Sequence, residues 1–240
     1  MYAGTERDTG AVNPMQLALF DLDHTLLSGD SDELWCNFML AQGLLPAAHA
    51  ARNAQMVAGY RAGTVSVADF CNFYVGQLAG RSPAFWAPWC ERFLQEEVLP
   101  RVPADALGLI DHHRARGDTL VMTTATNRVI TELTASALGF AHLIATEVAL
   151  ADGLCTGLTA GVPNMREGKV VRLRAWLQAQ RLGAPAQAEA LAAAHFYSDS
   201  ANDLPLLHAV GQPVVVDPDD WLLAEATARR WPVMRLNRHR

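Results

Sequence analysis

A chain of 240 residues, half of them hydrophobic, is long enough to bury one sizeable core or a core with an insert, and its apolar content excludes wholesale disorder. A formal net charge of −6 argues against a protein built to hold a nucleic-acid backbone, and no apolar run approaches the ~20 residues of a membrane span. Cys36, Cys71, Cys90 and Cys155 show no CxxC pairing and no histidine at zinc-finger spacing, so they read as free thiols of a reduced, cytoplasmic protein.

Residues 1–14 carry Glu6, Arg7 and Asp8 without an apolar core and read as a flexible polar lead-in, not a signal peptide. Leu17-Ala18-Leu19-Phe20 then predicts a buried strand that ends in Asp21-x-Asp23-x-Thr25. Ser28 to Asp32 reads as a loop with a helix N-cap. From 33 to 100 the pattern is helical throughout: Leu34, Trp35, Phe38 and Met39 recur at helical spacing, a second helix covers Ala47 to Tyr60, and Ser66 and Ser82-Pro83 open a third and a fourth, with Pro88 a candidate kink. Most of the aromatic residues fall in this stretch, which predicts an all-helical insert whose aromatics form its own core.

From about 101 the pattern alternates between helix and strand. A helix over Ala104 to Arg116 leads to a strand over Thr119 to Thr124, a helix to Leu138, a strand from His142, and a hairpin turning at Asp152-Gly153. Next come a helix from Met165 to Gln180, a linker or weak helix from Arg181 to Ala190, and a short strand His195 to Ser198. A helix Asn202 to Val210, a strand Pro213 to Val216, a helix Asp219 to Arg229 and a strand Pro232 to Leu236 complete the chain. This alternation predicts an α/β core over 15–32 and 101–240, a doubly wound, mainly parallel sheet covered on both faces. Arg229, Arg230, Arg235, Arg238 and Arg240 read as a solvated basic end.

The chemistry concentrates at strand ends. Asp21 and Asp23 form either an acidic turn or a pair that repels unless a hard cation such as Mg²⁺ sits beside it, leaving one carboxylate to attack an electrophile. Asp199 and Asp203 flank a second strand-to-helix junction, where helix capping is the simpler explanation of either one alone. Thr123 to Asn127 ends another strand with hydroxyls just before a helix, an arrangement that can cradle an anion. Lys169 stands among apolar residues near a helix start, where it could serve as a point charge for phosphate.

Asp21-x-Asp23-x-Thr25, then Thr124, Lys169 and Asp199-x-x-x-Asp203, in that order, resembles the haloacid dehalogenase-like superfamily, and the phosphoserine phosphatase-like branch in particular. The resemblance spans roughly 16–216 and implies a Rossmann-like core with a helical cap over 33–100. It implies Asp21 as nucleophile forming an aspartyl-phosphate and Asp23 as acid and then base. Thr124 and Lys169 would hold the phosphoryl group; Mg²⁺ would be held by Asp21, the Asp23 carbonyl and Asp199, with Asp203 in support. The expected activity is hydrolysis of a small phosphorylated metabolite, the alternatives being phosphotransfer from the same intermediate or a non-catalytic binding protein of the same fold. No arginine stands on the Phe70 to Phe73 helix, where phosphoserine phosphatases grip the substrate carboxylate, and Asp30 replaces the usual glutamate that meets the substrate amino group. These departures disfavour phosphoserine and keep histidinol phosphate and other amino-alcohol phosphates in play, with Asp30 a candidate substrate-binding residue. Nothing in the sequence points to a nucleic-acid or membrane partner, or to an oligomeric state.

Overall fold

Leu17–Phe20 (β1) is buried along its whole length, and its alternate side chains enter two different apolar clusters. Ala18 and Phe20 face one core; Leu17 and Leu19 face the other. A strand buried on both faces needs helices on both, and each fully buried large side chain contributes about 1.5–3 kcal/mol. The computed structural model describes residues 15–236. The lead-in 1–14, Arg238 and Arg240 lie outside the described residues.

Among the described residues, β1 lies at the centre of a seven-stranded sheet. On one side follow Thr119–Asn127 (β2), His142–Ala151 (β3) and Leu154–Ala160 (β4); on the other, His195–Ser198 (β5), Gln212–Val216 (β6) and Val233–Met234 (β7). All neighbours pair in parallel except β3 and β4, which form the antiparallel hairpin predicted at Asp152-Gly153, both residues with positive φ. Because the chain moves outward from β1 through β2 and β3 and returns to β5, a crevice opens at the carboxyl ends of β1, β2 and β5. Ala104–Ala115 (α5) and Arg128–Ala137 (α6) pack on the Phe20 face. Glu167–Ala179 (α7), Ala184–Ala193 (α8), Leu204–Ala209 (α9) and Asp220–Arg229 (α10) pack on the Leu19 face.

Between β1 and α5 the chain is helical: Ser31–Ala41 (α1), Ala48–Arg61 (α2), Val67–Gly76 (α3) and Pro83–Phe93 (α4), then a π turn Leu94–Val98 and a 3-10 turn Leu99–Arg101. Ser66 and Ser82 cap α3 and α4 through the N–H groups of Asp69 and Phe85. Trp35 packs its ring 5.1 Å from that of Phe93 and 5.8 Å from that of Phe38. These aromatics are core, as expected, but they belong to the same apolar cluster as Phe20 and Met122. The insert is fused to one face of the sheet and also covers the outer edge of β4: Gly80 N–H donates to the Cys155 carbonyl at 2.8 Å, Cys155 N–H to that of Arg81 at 2.9 Å, and Thr159 N–H to Asn72 Oδ1 at 2.9 Å.

Of the two readings of Arg181 to Ala190, the helix holds: α8 begins at Ala184, with Pro185 in its first turn, where its missing N–H is harmless. Three local expectations change. The helix expected from Asn202 begins as a 3-10 turn, Ala201–Asp203, so Asp203 stands at the N-cap position of α9, without a side-chain cap bond, instead of lying in its first turn. β2 continues past Thr124 to Asn127, and the last strand shrinks to two residues. All four cysteines are free and buried, and no described helix is long and apolar enough to cross a membrane.

Candidate active site

Asp21 leaves the end of β1 with its N–H donating to the carbonyl of Tyr197 on β5 at 3.0 Å, so the ladder itself fixes its position. Below it the chain folds back tightly: Leu27 and Thr25 N–H groups both reach the Leu22 carbonyl, and His24 takes a positive φ of 53°. The turn brings Thr25 under the nucleophile position. Its hydroxyl lies 3.3 Å from Asp21 Oδ2 and 3.2 Å from Asp199 Oδ1, and accepts the Asp199 N–H at 3.0 Å. One hydroxyl thereby ties the end of β1 to the end of β5.

Lys169 arrives from α7, fully enclosed. Its Nζ donates to Asp21 Oδ1 and to Asp203 Oδ2, both at 2.7 Å, and Ser198 Oγ donates to the same Asp203 oxygen at 2.7 Å. The helix start that delivers it is tightly constrained: a Cβ on Gly168 would stand 2.0 Å from the Pro163 carbonyl oxygen, so only glycine fits there. Asn164, buried just upstream, points its Nδ2 at Thr123 Oγ1, the Thr124 carbonyl and the Ile144 carbonyl, all within 3.0 Å, and locks the α7 approach to the ends of β2 and β3.

Asp23 turns away from Lys169. Its Oδ1 accepts the Ser31 N–H at 2.7 Å and its Oδ2 the Thr126 hydroxyl at 3.0 Å. Thr124 Oγ1 is held by the Thr126 N–H at 3.2 Å and reaches Asp23 only at 3.5 Å, a marginal bond that leaves its proton available to a ligand oxygen. The sequence-expected residues Asp21, Asp23, Thr124, Lys169, Asp199 and Asp203 thus converge on one crevice. Asp30 stands at its edge, where Oδ1 caps α1 through the Glu33 N–H at 2.9 Å. Ser31, Thr126, Asn164 and Ser198 were not singled out from sequence; Thr126 and Ser198 sit within two residues of expected positions, whereas nothing local marks Asn164.

Burial would lower the proton affinity of Lys169, but Asp203 and Asp21 outweigh it and hold the ammonium charged. Asp21 is raised well above the ordinary carboxylate range, first by burial and then by Asp203, Asp199 and Asp23, despite Lys169. Asp199 is pushed up to about 7 by burial and by Asp203. Four carboxylates against one ammonium leave the crevice short of positive charge. That deficit, in an all-oxygen setting, fits a hard divalent cation such as Mg²⁺. No group of three His, Cys, Asp or Glu side chains among the described residues closes on one point. A cation would therefore complete its shell with backbone carbonyls or water, as Mg²⁺ commonly does.

The insert also reaches the crevice. Tyr60 on α2 donates from its hydroxyl to Asn202 Oδ1 at 3.1 Å, Arg166 Nε donates to the same oxygen at 3.1 Å, and the Arg166 guanidinium lies 5.0 Å from the centre of the Tyr60 ring.

The sequence model of the haloacid dehalogenase-like hydrolases matches residues 18–208. A histidinol-phosphatase of Neisseria meningitidis serogroup C is 36% identical over 91% of this chain and 97% of its own length. Among solved structures, a protein of unknown function from Bordetella pertussis Tohama I is 39% identical, with a TM-score of 0.86 over 92% of this chain and 99% of that one. A phosphoserine phosphatase solved as a phospho-aspartyl intermediate analogue superposes with a TM-score of 0.65 at 15% identity, over 94% of this chain and 95% of that one, a likeness of fold alone.

Proposed function

The chain belongs to the haloacid dehalogenase-like hydrolase family and is a phosphoric monoester hydrolase, and we propose that it cleaves a small phosphorylated metabolite through an aspartyl-phosphate on Asp21. The observation that carries this reading is the Lys169 bridge from Asp21 to Asp203 at the topological switch point of the sheet. It places a buried cation beside the one carboxylate that emerges directly from β1.

In this reading Asp21 attacks phosphorus while Lys169 and the Thr124 hydroxyl stabilise the charge on the phosphoryl oxygens. Asp23, held by Ser31 N–H and Thr126, gives its proton to the leaving alkoxide and then takes one from the water that releases phosphate and regenerates Asp21. Mg²⁺, held by Asp21, the Asp23 carbonyl and Asp199 with Asp203 in support, would neutralise phosphate charge. Among candidate esters we favour histidinol phosphate, on the printed activity of the Neisseria relative, over phosphoserine. We place the enzyme in the cytoplasm on its four free, buried thiols.

Asp21→Asn tests the assignment. It should lower turnover of an aryl phosphate at least about a thousandfold, as loss of a covalent nucleophile does, and a chelator should reversibly stop the wild type. Retained turnover in the variant refutes the nucleophile; turnover indifferent to chelation refutes the metal.

A further inference from the structure

On the Phe20 face of the sheet lies a buried polar group that the reaction above does not use. His113, in the last turn of α5, is enclosed, and both of its ring nitrogens are engaged: Nδ1 meets Asp118 Oδ2 at 2.6 Å and Nε2 meets the Tyr197 hydroxyl at 2.7 Å. Asp118 is itself fixed, since its N–H donates to the His113 carbonyl at 3.1 Å and its Oδ2 accepts from Arg116 Nε at 3.2 Å. A buried network of this kind often adds no more stability than well-packed apolar residues would; what it supplies is one fixed geometry.

That geometry is imposed at the strand ends that carry the chemistry. Phe20 and Tyr197 are register partners across β1 and β5, and their rings stack with centroids 5.0 Å apart. His113 stands edge-on to both, 5.7 Å from the Phe20 ring and 5.4 Å from that of Tyr197. Phe20 immediately precedes Asp21, the Tyr197 carbonyl accepts the Asp21 N–H at 3.0 Å, and Asp199 follows two residues beyond Tyr197. β1 and β5 share only three register pairs, so this short ladder has little of its own to fix how far Asp21 stands from Asp199.

We propose that His113, held by Asp118, is a positioning residue for the nucleophile, a role that rests on the phosphatase reading above. By clamping the Phe20–Tyr197 ring pair it sets the spacing of the β1 and β5 ends, and with it the line along which the Asp21 carboxylate approaches phosphorus. His113 touches neither substrate nor the reacting atoms; it acts through the two strands. Covalent attack needs the reacting atoms in line and about 3–3.5 Å apart, and a misplacement of about 1 Å costs about a hundredfold. Loosening the clamp therefore slows the transfer while leaving binding of the ester as it was.

The test is steady-state kinetics of an aryl phosphate on three variants, with chemical denaturation of each. In His113→Asn the shorter amide keeps the Asp118 contact and loses Tyr197. In His113→Gln the longer amide reaches the place of Nε2 and keeps Tyr197. Tyr197→Phe keeps the ring stack and the backbone and removes only the hydroxyl. The expected result is that kcat of His113→Asn falls at least about tenfold with KM within about twofold, the mark of an interaction that matters only in the transition state. Tyr197→Phe should follow it, and His113→Gln should restore most of the loss. A purely structural network would lower the denaturation midpoint but leave kcat of the folded protein at the wild-type value; that outcome overturns the proposal, as does a loss confined to KM or a His113→Gln no better than His113→Asn. If His113→Asn does not fold, His113→Gln and Tyr197→Phe carry the same comparison. Retained turnover in Asp21→Asn would refute the nucleophile instead, whereas wild-type kcat in the His113 variants beside an inactive Asp21→Asn refutes the positioning role alone.

Discussion

On the floor of the crevice, Asp21 and Asp203 share the Lys169 ammonium at 2.7 Å each, and Ser198 and Thr25 supply further donors. At the first turn of α1, a few residues along the same loop, Asp30 and Asp32 have backbone and hydroxyl donors but no resident cation acting on Asp32. Both regions bury carboxylates beside one another. The floor carries its counter-charge in the chain because the position of a transferring phosphoryl group must be fixed before the ligand arrives. At Asp32 the acidic turn lacks one; the positive influence on the turn is that of His24 on Asp30.

Removing the counter-charge from the floor should erase the difference between the regions, and it has the largest expected effect. Lys169→Met leaves Asp21 and Asp203 buried without their partner, a change that destabilises by about 3–5 kcal/mol when one member of a buried pair is lost. Chemical denaturation should show that loss, and turnover of an aryl phosphate should fall at least about a hundredfold because a stabilising cation on the phosphoryl oxygens is gone. A variant as stable and active as the wild type would mean that the bridge is incidental.

The two regions meet at Thr126, so Thr126→Val separates them. Asp23 Oδ2 would keep only the marginal 3.5 Å contact with Thr124, and Asp32 would lose the hydroxyl that favours its charge. We expect kcat to fall by about 10²-fold, within the range of a general acid's contribution, and stability by about 1–3 kcal/mol for an unsatisfied buried acceptor. An effect confined to KM would show that Thr126 does not act through Asp23.

How much of this could be read from the chain follows from what is local. β1 is a run of four apolar residues closed by Asp21, and β5, His-Phe-Tyr-Ser, is a short strand closed by Asp199; both strand ends carry a carboxylate, so the floor was legible from order and spacing. Lys169 was legible only through family order, since a lysine beside Gly168 looks like any other, and the close approach of Pro163 to Gly168 that constrains the helix start shows only in the fold. Asn164 and the Asp32 oxygen were not legible. Each matters through neighbours distant in sequence, Asn164 through β2 and β3 and Asp32 through Thr126, and no periodicity encodes such contacts. The sequence also suggested an insert with a core of its own, whereas Trp35 and Phe93 share a cluster with Phe20: helical spacing shows which face is apolar, not what covers it.

The smallest expected effect isolates the acidic turn from its capping role. Asp30 is pushed up to about 7, chiefly by burial and next by Asp23. Its folded form therefore holds a proton between the ordinary carboxylate value of 3.8 and about 7 that the unfolded chain has released. Where the native state binds more protons, stability falls as pH rises. The contribution of Asp30 is thus fully present below pH 4 and is lost as pH climbs through 7. Asn caps a helix as well as Asp does, so Asp30→Asn keeps α1 and deletes only the titration. Thermal midpoints of the two proteins should coincide near pH 4 and separate above pH 7, with the variant higher by about 2–4 °C, the shift that about 1 kcal/mol produces in a chain of this size. A wild type that instead gains on the variant as pH rises would show that a donor stabilises the Asp30 carboxylate, and that the turn is not short of positive charge.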